Sequence, residues 1–247
     1  MKARFWLITA CILLLACPLN AQDKITVGVA ANFMVPLNEM IPLFEKESGI
    51  KVDPVFASSG KLYAQVVNGA PFDIFLSADE ERPAKLFKDG LVETPFIYAR
   101  GEVVLWSLDR GLCSAGSDWR EVLKSEKIKK IAIANPETAP YGAAAMAALK
   151  AAGLSNALKD KFVYPQDIGQ AFQYASTGSV DAGFCALSST RTPEGMKGCT
   201  ITVSEAPEVV QAACVIKASK SREAAEKFAR FLLSREAMKV KEKYGYR

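Results

Sequence analysis

The chain predicts an α/β fold of two lobes. Three observations carry that expectation. Apolar, β-branched runs alternate with amphipathic helical runs; the alternation occurs twice; and long strand-like stretches near residues 103–107 and 207–212 join the two series. Alternating strands and helices build a mostly parallel sheet with helices on both faces. A chain that crosses twice between two such units places a ligand where both present the C-terminal ends of their strands.

The first series begins with KITVGV at residues 24–29, a β-branched strand that meets Ala31-Asn32. Leu37, Met40, Ile41 and Phe44 then recur at helical spacing, with Asn32 expected as N-cap and Gly49 as the stop. Residues 51–56 form the second strand and 59–67 a short helix closed by Asn68-Gly69; residues 73–77 and 80–88 give the third strand and helix. A strand-like stretch over 96–107, broken by Gly101, leads out of this series.

The second series has strands at 130–134, 162–164 and 180–187, with helices at 119–125, 143–152 and 168–176. A strand at 209–217 and a helix at 222–233, striped by Ala224, Phe228, Phe231 and Leu232, complete the chain. Residues 111–118 and 190–199 are expected as loops. The implied division is 22–104 and 209–247 for the first lobe and 105–208 for the second.

Residues 1–21 have the form of an export signal. Lys2 and Arg4 precede an apolar run over 5–16 that is too short to span and stay, and Leu19-Asn20-Ala21 offers a cleavage site. Leu14-Leu15-Ala16-Cys17 also resembles a lipobox, which would leave Cys17 as a lipid-bearing terminus. About 225 residues remain, enough for one large or two modest domains. Without Lys2 and Arg4 the balance is 29 basic against 27 acidic residues, which gives no reason to propose nucleic acid or an anionic membrane as partner. Histidine is absent, which removes His-dependent triads and His-based metal sites. Cys113, Cys185, Cys199 and Cys214 permit up to two disulfides after export, or none; no C-x-x-C supports zinc or redox chemistry.

Four strand-to-helix junctions stand out: Ala31-Asn32, Ser58-Ser59-Gly60, Ala139-Pro140-Tyr141-Gly142 and Asp167-Ile168-Gly169. Each sets small or capping residues where helix N–H groups lack intrahelical partners. Any one alone reads as ordinary capping; four together aim donors at one anion. No arginine lies at any of them, as a carboxylate ligand would require. A symmetric inorganic oxyanion suits neutral donors better. Ser58-x-x-Lys61 matches the S-x-x-K of serine acyl-transfer enzymes, but its companion motifs are missing, and Gly60-Lys61 fails the Walker A pattern at Val55 and Leu62. Asp73, Asp79 and Asp181 read as strand-start or capping residues before they read as a metal or acid/base cluster.

The stretches ITVGVAANF, VFASSGKLYAQVVNGAPFDIFLSAD, IAIANPETAPYGAAA, DIGQAF, VDAGFCALS and KEKYGY together resemble the molybdate-binding proteins of bacterial molybdate ABC transporters. The resemblance extends across essentially the whole mature chain. It implies a type II periplasmic binding-protein fold, in which two α/β lobes close over the ligand by a hinge. It further implies that Asn32 and Ser59 bind the anion from the first lobe, and that Tyr141 and Ile168 bind it from the second, mainly through backbone N–H, with Ala31 and Ser58 adjoining. Asn32 stands where other members carry serine, and Ala186 where some carry an anion-touching tyrosine.

The resemblance thus implies a periplasmic, monomeric receptor for molybdate and tungstate. It would have no catalytic residue or cofactor, would bind metal only as the oxyanion, and would have an inner-membrane ABC permease as partner. A receptor for sulfate or phosphate is the nearest alternative, and an exported serine acyl-transfer enzyme using Ser58 and Lys61 a remote one.

Overall fold

A computed structural model describes residues 23–113 and 117–247. The export signal, its cleavage site and Cys17 lie outside the described residues. Along the chain come β1 (Lys24–Ala30), α1 (Met34–Ser48), β2 (Lys51–Ala57), α2 (Ser59–Val67), β3 (Ile74–Leu76), α3 (Glu81–Lys88) and β4 (Phe96–Gly101). Then follow β5 (Val103–Ser107), α4 (Trp119–Lys124), β6 (Ile131–Ala132), α5 (Pro140–Ala151), β7 (Phe162–Val163), α6 (Ile168–Ser176), β8 (Ala182–Ala186), α7 (Leu187–Thr190) and β9 (Cys199–Thr202). The chain finishes with β10 (Val209–Val215), α8 (Arg222–Leu232) and α9 (Arg235–Lys243).

These strands form two five-stranded sheets, ordered β2-β1-β3-β10-β4 and β7-β6-β8-β5-β9. The chain leaves the first sheet after β4, enters the second with β5 one residue later, and returns between β9 and β10. Strands joined by helical crossovers pair in parallel: β1 with β2 and β3, β6 with β7 and β8. The crossing strands run against their neighbours, β10 between β3 and β4, and β5 between β8 and β9. Both sheets are therefore mixed, because a strand arriving from the other lobe is not bound by the crossover rule that keeps its neighbours parallel.

Alternation along the central strands builds a core on each face of the first sheet. Ile74 and Leu76 join Phe33, Leu37, Met40, Phe44 and Phe228 on one face; Phe75 joins Leu62, Val66, Leu86 and Cys214 on the other. The second sheet has one continuous core that includes Trp106, Trp119, Ile131, Leu149 and Phe184.

Two sequence expectations need correction. Asn32 is not an N-cap: it lies inside a 3-10 turn, Ala31–Phe33, that runs straight into α1, and neither element starts with a side-chain cap. Residues 190–199 are not simply a loop. They hold the end of α7, a 3-10 turn at Gly195–Lys197 and the start of β9, pinned by a Trp106 Nε1–H donation to the Gly195 carbonyl at 2.9 Å and by a Cys113–Cys199 disulfide. Cys185 and Cys214 are buried free thiols.

Candidate functional site

All six residues that the resemblance assigns to the site or its edge line one small cavity between the lobes, about 10 Å³ in volume. Ala31, Asn32, Ser58 and Ser59 come from the first lobe, Tyr141 and Ile168 from the second; each is buried. Ala30, Ala78, Ala139, Pro140 and Asp167 complete the wall, which contains no lysine or arginine. A wider, open groove beside it, edged by Asp79, Arg82, Glu137 and Glu208, carries charges of both signs and shares only Ala78 and Pro140 with the enclosed space.

Local sequence explains how the donors reach this point. Ser58 follows β2 in extended conformation and caps α2, its Oγ accepting from the Lys61 N–H at 3.4 Å. Ser59 Oγ accepts from the Ala78 N–H at 2.9 Å. Each hydroxyl thus spends a lone pair on a backbone donor and keeps its own proton to give. The Ser59 N–H stands at the first helical position, beyond reach of any intrahelical carbonyl. In the second lobe, α5 starts on Ala139 with Pro140 in its first turn and no side-chain cap, so the Tyr141 N–H is left over in the same way. Gly142 makes this placement possible, because a Cβ there would lie 1.9 Å from the Ala134 carbonyl oxygen. Asp167 caps α6 by accepting from the Gln170 N–H at 3.0 Å, and Ile168, the first residue of that helix, lines the cavity with its N–H beyond reach of any intrahelical carbonyl.

The two lobes touch around the cavity. Gly60 N–H donates to the Thr138 carbonyl at 2.8 Å, and Arg82 Nη2 to the Glu137 carbonyl at 3.1 Å. Beneath the cavity lies a buried polar network that sequence reasoning missed. Asn32 Nδ2 donates to Gln211 Oε1 at 2.7 Å and to the Tyr246 hydroxyl at 3.0 Å; Tyr98 donates to Gln211 Oε1 at 3.0 Å; Gln211 Nε2 donates to the Tyr141 hydroxyl at 3.3 Å. Ser188 Oγ donates across the lobes to the Asn32 carbonyl at 3.0 Å. The available signal was Gln211, a lone polar residue in the otherwise apolar strand β10. Burial holds the Tyr98, Tyr141 and Tyr246 hydroxyls above the ordinary phenol range, so they stay neutral.

The alternative chemistries find no support in the geometry. Ser58 Oγ is used as a helix cap, and the Lys61 side chain is exposed. Asp73 accepts from the Thr26 N–H and from Ser219, Asp79 pairs with Arg82, and Asp181 accepts from the Lys129 and Lys130 N–H groups. Among the described residues there is no group of three or more His, Cys, Asp or Glu able to hold a metal ion. Ala186 ends β8 fully buried and is not part of the cavity wall.

The profile of the bacterial extracellular solute-binding proteins matches residues 25–247. The chain belongs to that family. Within it, the chain is 39% identical over 94% of its length to the molybdate-binding protein ModA of Azotobacter vinelandii, covering 93% of that protein. It is 37% identical over 96% of its length to ModA of Rhodobacter capsulatus, again covering 93%. The solved structure of the Azotobacter vinelandii periplasmic molybdate-binding protein superposes with a TM-score of 0.85 at 33% identity, over 90% of this chain and 98% of that one. Its two-lobed α/β architecture is thus the architecture found here, and these relatives are binding proteins rather than enzymes.

Proposed function

We propose that the chain captures molybdate, and tungstate with it, for an ABC importer. The observation that carries this reading is the cavity without lysine or arginine where helix N-termini of both lobes converge, in a chain 39% identical to a molybdate-binding protein over nearly its whole length. Asn32, Ser59, Tyr141 and Ile168 hold the dianion, with Ala31 and Ser58 against it. The donors are the Ser58 and Ser59 hydroxyls and backbone N–H groups at the helix starts. Each hydrogen bond to a charged ligand is worth roughly 1.5–3 kcal/mol, and the enclosed site removes water as competitor.

Such a site does no chemistry: it has neither an activated nucleophile nor an acid/base pair. It closes because the open form offers one lobe's donors and the closed form both. Mo–O and W–O bonds are nearly equal and longer than S–O bonds, so a rigid ring of donors excludes sulfate by size but hardly separates the two metals. Residues 1–21 direct export to the periplasm and are cut after Ala21, in preference to lipid anchoring through Cys17. The mature chain works as a monomer that docks on a membrane permease.

A thermal-shift panel of molybdate, tungstate, sulfate, phosphate and chromate tests the reading. Bound ligand raises the melting temperature as RT ln(1 + [L]/Kd). Molybdate and tungstate are expected to stabilise strongly and sulfate weakly; equal responses to sulfate and molybdate overturn the assignment.

A further inference from the structure

One buried polar atom in the cavity wall has no partner: Asn32 Oδ1, in a residue only 3% exposed. A bare carbonyl oxygen there would repel an anion. Its own amide nitrogen is turned away, engaged by Gln211 and Tyr246. The surrounding network has a second solution. Exchange the oxygen and nitrogen of both the Asn32 and Gln211 amides, and their four contacts with each other and with Tyr98, Tyr141 and Tyr246 are still hydrogen bonds. The exchange costs the Tyr246 donation to the Asn32 carbonyl at 2.8 Å, because that hydroxyl has one proton, and the carbonyl keeps the Ser188 hydroxyl. Gln211 Nε2 then donates to Asn32 Oδ1 and to the Tyr98 hydroxyl, Gln211 Oε1 accepts from the Tyr141 hydroxyl, and the Tyr246 hydroxyl donates to Asn32 Oδ1. The unpartnered position becomes an N–H donor facing the cavity.

We propose that Gln211 is the positioning residue that sets this polarity. Its amide, by donating to Asn32, holds the Asn32 N–H toward the bound oxyanion, and by accepting from Tyr141 it ties that orientation to the second lobe. The inference rests on the oxyanion reading of the cavity and adds a residue that does not line it. Among the described residues no carboxylate or ammonium is hydrogen-bonded to Gln211. Its titratable neighbours are Tyr98 on β4, Tyr141 on α5 and Tyr246 near the end of the chain, which interacts with both Gln211 and Tyr141. Asp79 and Lys241 come next: the Asp79 carbonyl accepts from the Ala212 N–H, and Lys241 Nζ donates to the Tyr98 carbonyl at 2.8 Å.

The test is molybdate titration of the wild type, Gln211→Glu and Gln211→Met between about pH 6 and 8.5. An ionised Gln211→Glu side chain only accepts, so it pulls the Asn32 N–H away from the anion; once protonated it donates to Asn32 and restores the polarity. Expected are a nearly flat wild-type profile, an affinity at least about tenfold weaker for Gln211→Glu at high pH that recovers on acidification, and a pH-independent loss for Gln211→Met. A Gln211→Met protein with wild-type affinity would reduce the effect to charge and overturn the proposal, as would a Gln211→Glu loss that ignores pH. Should either variant not fold, the wild type decides: molybdate is expected to move the Asn32 carboxamide protons downfield in an NMR spectrum, and an unmoved signal overturns the proposal. A wild type that binds no oxyanion sinks the functional reading instead.

Discussion

Gly60 and Thr138 meet face to face across the cleft. Beside the hydrogen bond that joins them, a Cβ on Gly60 would fall 2.9 Å from the Thr138 Cα and 3.0 Å from its carbonyl oxygen. Gly60 lies in the first turn of α2, where alanine is tolerated and even preferred by the helix. The contact thus restricts residue size through the facing lobe and not through the helix that carries Gly60.

Gly60→Ala is therefore expected to leave the ligand-free melting temperature unchanged or slightly raised while weakening molybdate binding by about tenfold or more, because the lobes stop short. Calorimetric titration beside a thermal melt separates the two effects. Unchanged affinity would mean that the ligand is held without this approach.

Ser59→Ala removes a hydroxyl donor and leaves the buried Ala78 N–H without its acceptor. Affinity is expected to fall about tenfold or more, and stability by about 1–3 kcal/mol. Titration calorimetry reporting wild-type affinity would remove the Ser59 side chain from the site.

These two positions also mark how much was legible in advance. Ser58-Ser59-Gly60, Tyr141 and Ile168 could be found because a helix start has a local signature in small and capping residues. Asn32 lines the cavity as expected but is not the N-cap it was read as, since its side chain turns into a network closed by Gln211 and Tyr246, nearly 180 and more than 210 residues away along the chain. Nothing in local periodicity reports such a contact. The same holds for Cys113 and Cys199, 86 residues apart, and for β9, a short strand defined only by its pairing with β5. The direction of β10 was hidden too, because an apolar run looks alike whether its neighbour is parallel or antiparallel.

Replacing both Cys113 and Cys199 by serine is expected to lower stability by about 4.6 kcal/mol, from the loop closed by an 86-residue separation, and the melting temperature by roughly 10–15 °C. Molybdate affinity should hold, since neither residue lines the cavity. Cys185 and Cys214 should resist a thiol reagent until the chain unfolds: burial raises both thiols, Cys214 to about 12. An unaltered melt for the double variant, or rapid labelling of the native protein, would contradict this account.

Binding is expected to vary little around neutral pH, as the chain has no histidine. Stability should instead fail on the alkaline side. Tyr98, Tyr141 and Tyr246 have folded values raised by burial, so their contribution is complete below the unfolded phenol value of about 10 and is lost as pH climbs through the raised folded values. Buried Lys241 runs the other way, its folded value lowered by desolvation, so its burden eases as pH rises toward about 10.4. Three groups outweigh one. Thermal melts from about pH 7 to 11 should show a decline setting in near pH 10, lessened by Tyr98→Phe; a level melting temperature through that range would refute it.

The absence of any fixed countercharge in the cavity bears on how the cargo gets out. An ion gripped by an ammonium or guanidinium drags that attraction along until proton or salt intervenes. Amide and hydroxyl dipoles split between two halves lose their hold once the halves part, since either set alone does little that water cannot do. On the proposed reading, delivery would demand only a rigid-body swing, which a membrane permease would impose by pulling the halves apart, without supplying a proton or a competing ion.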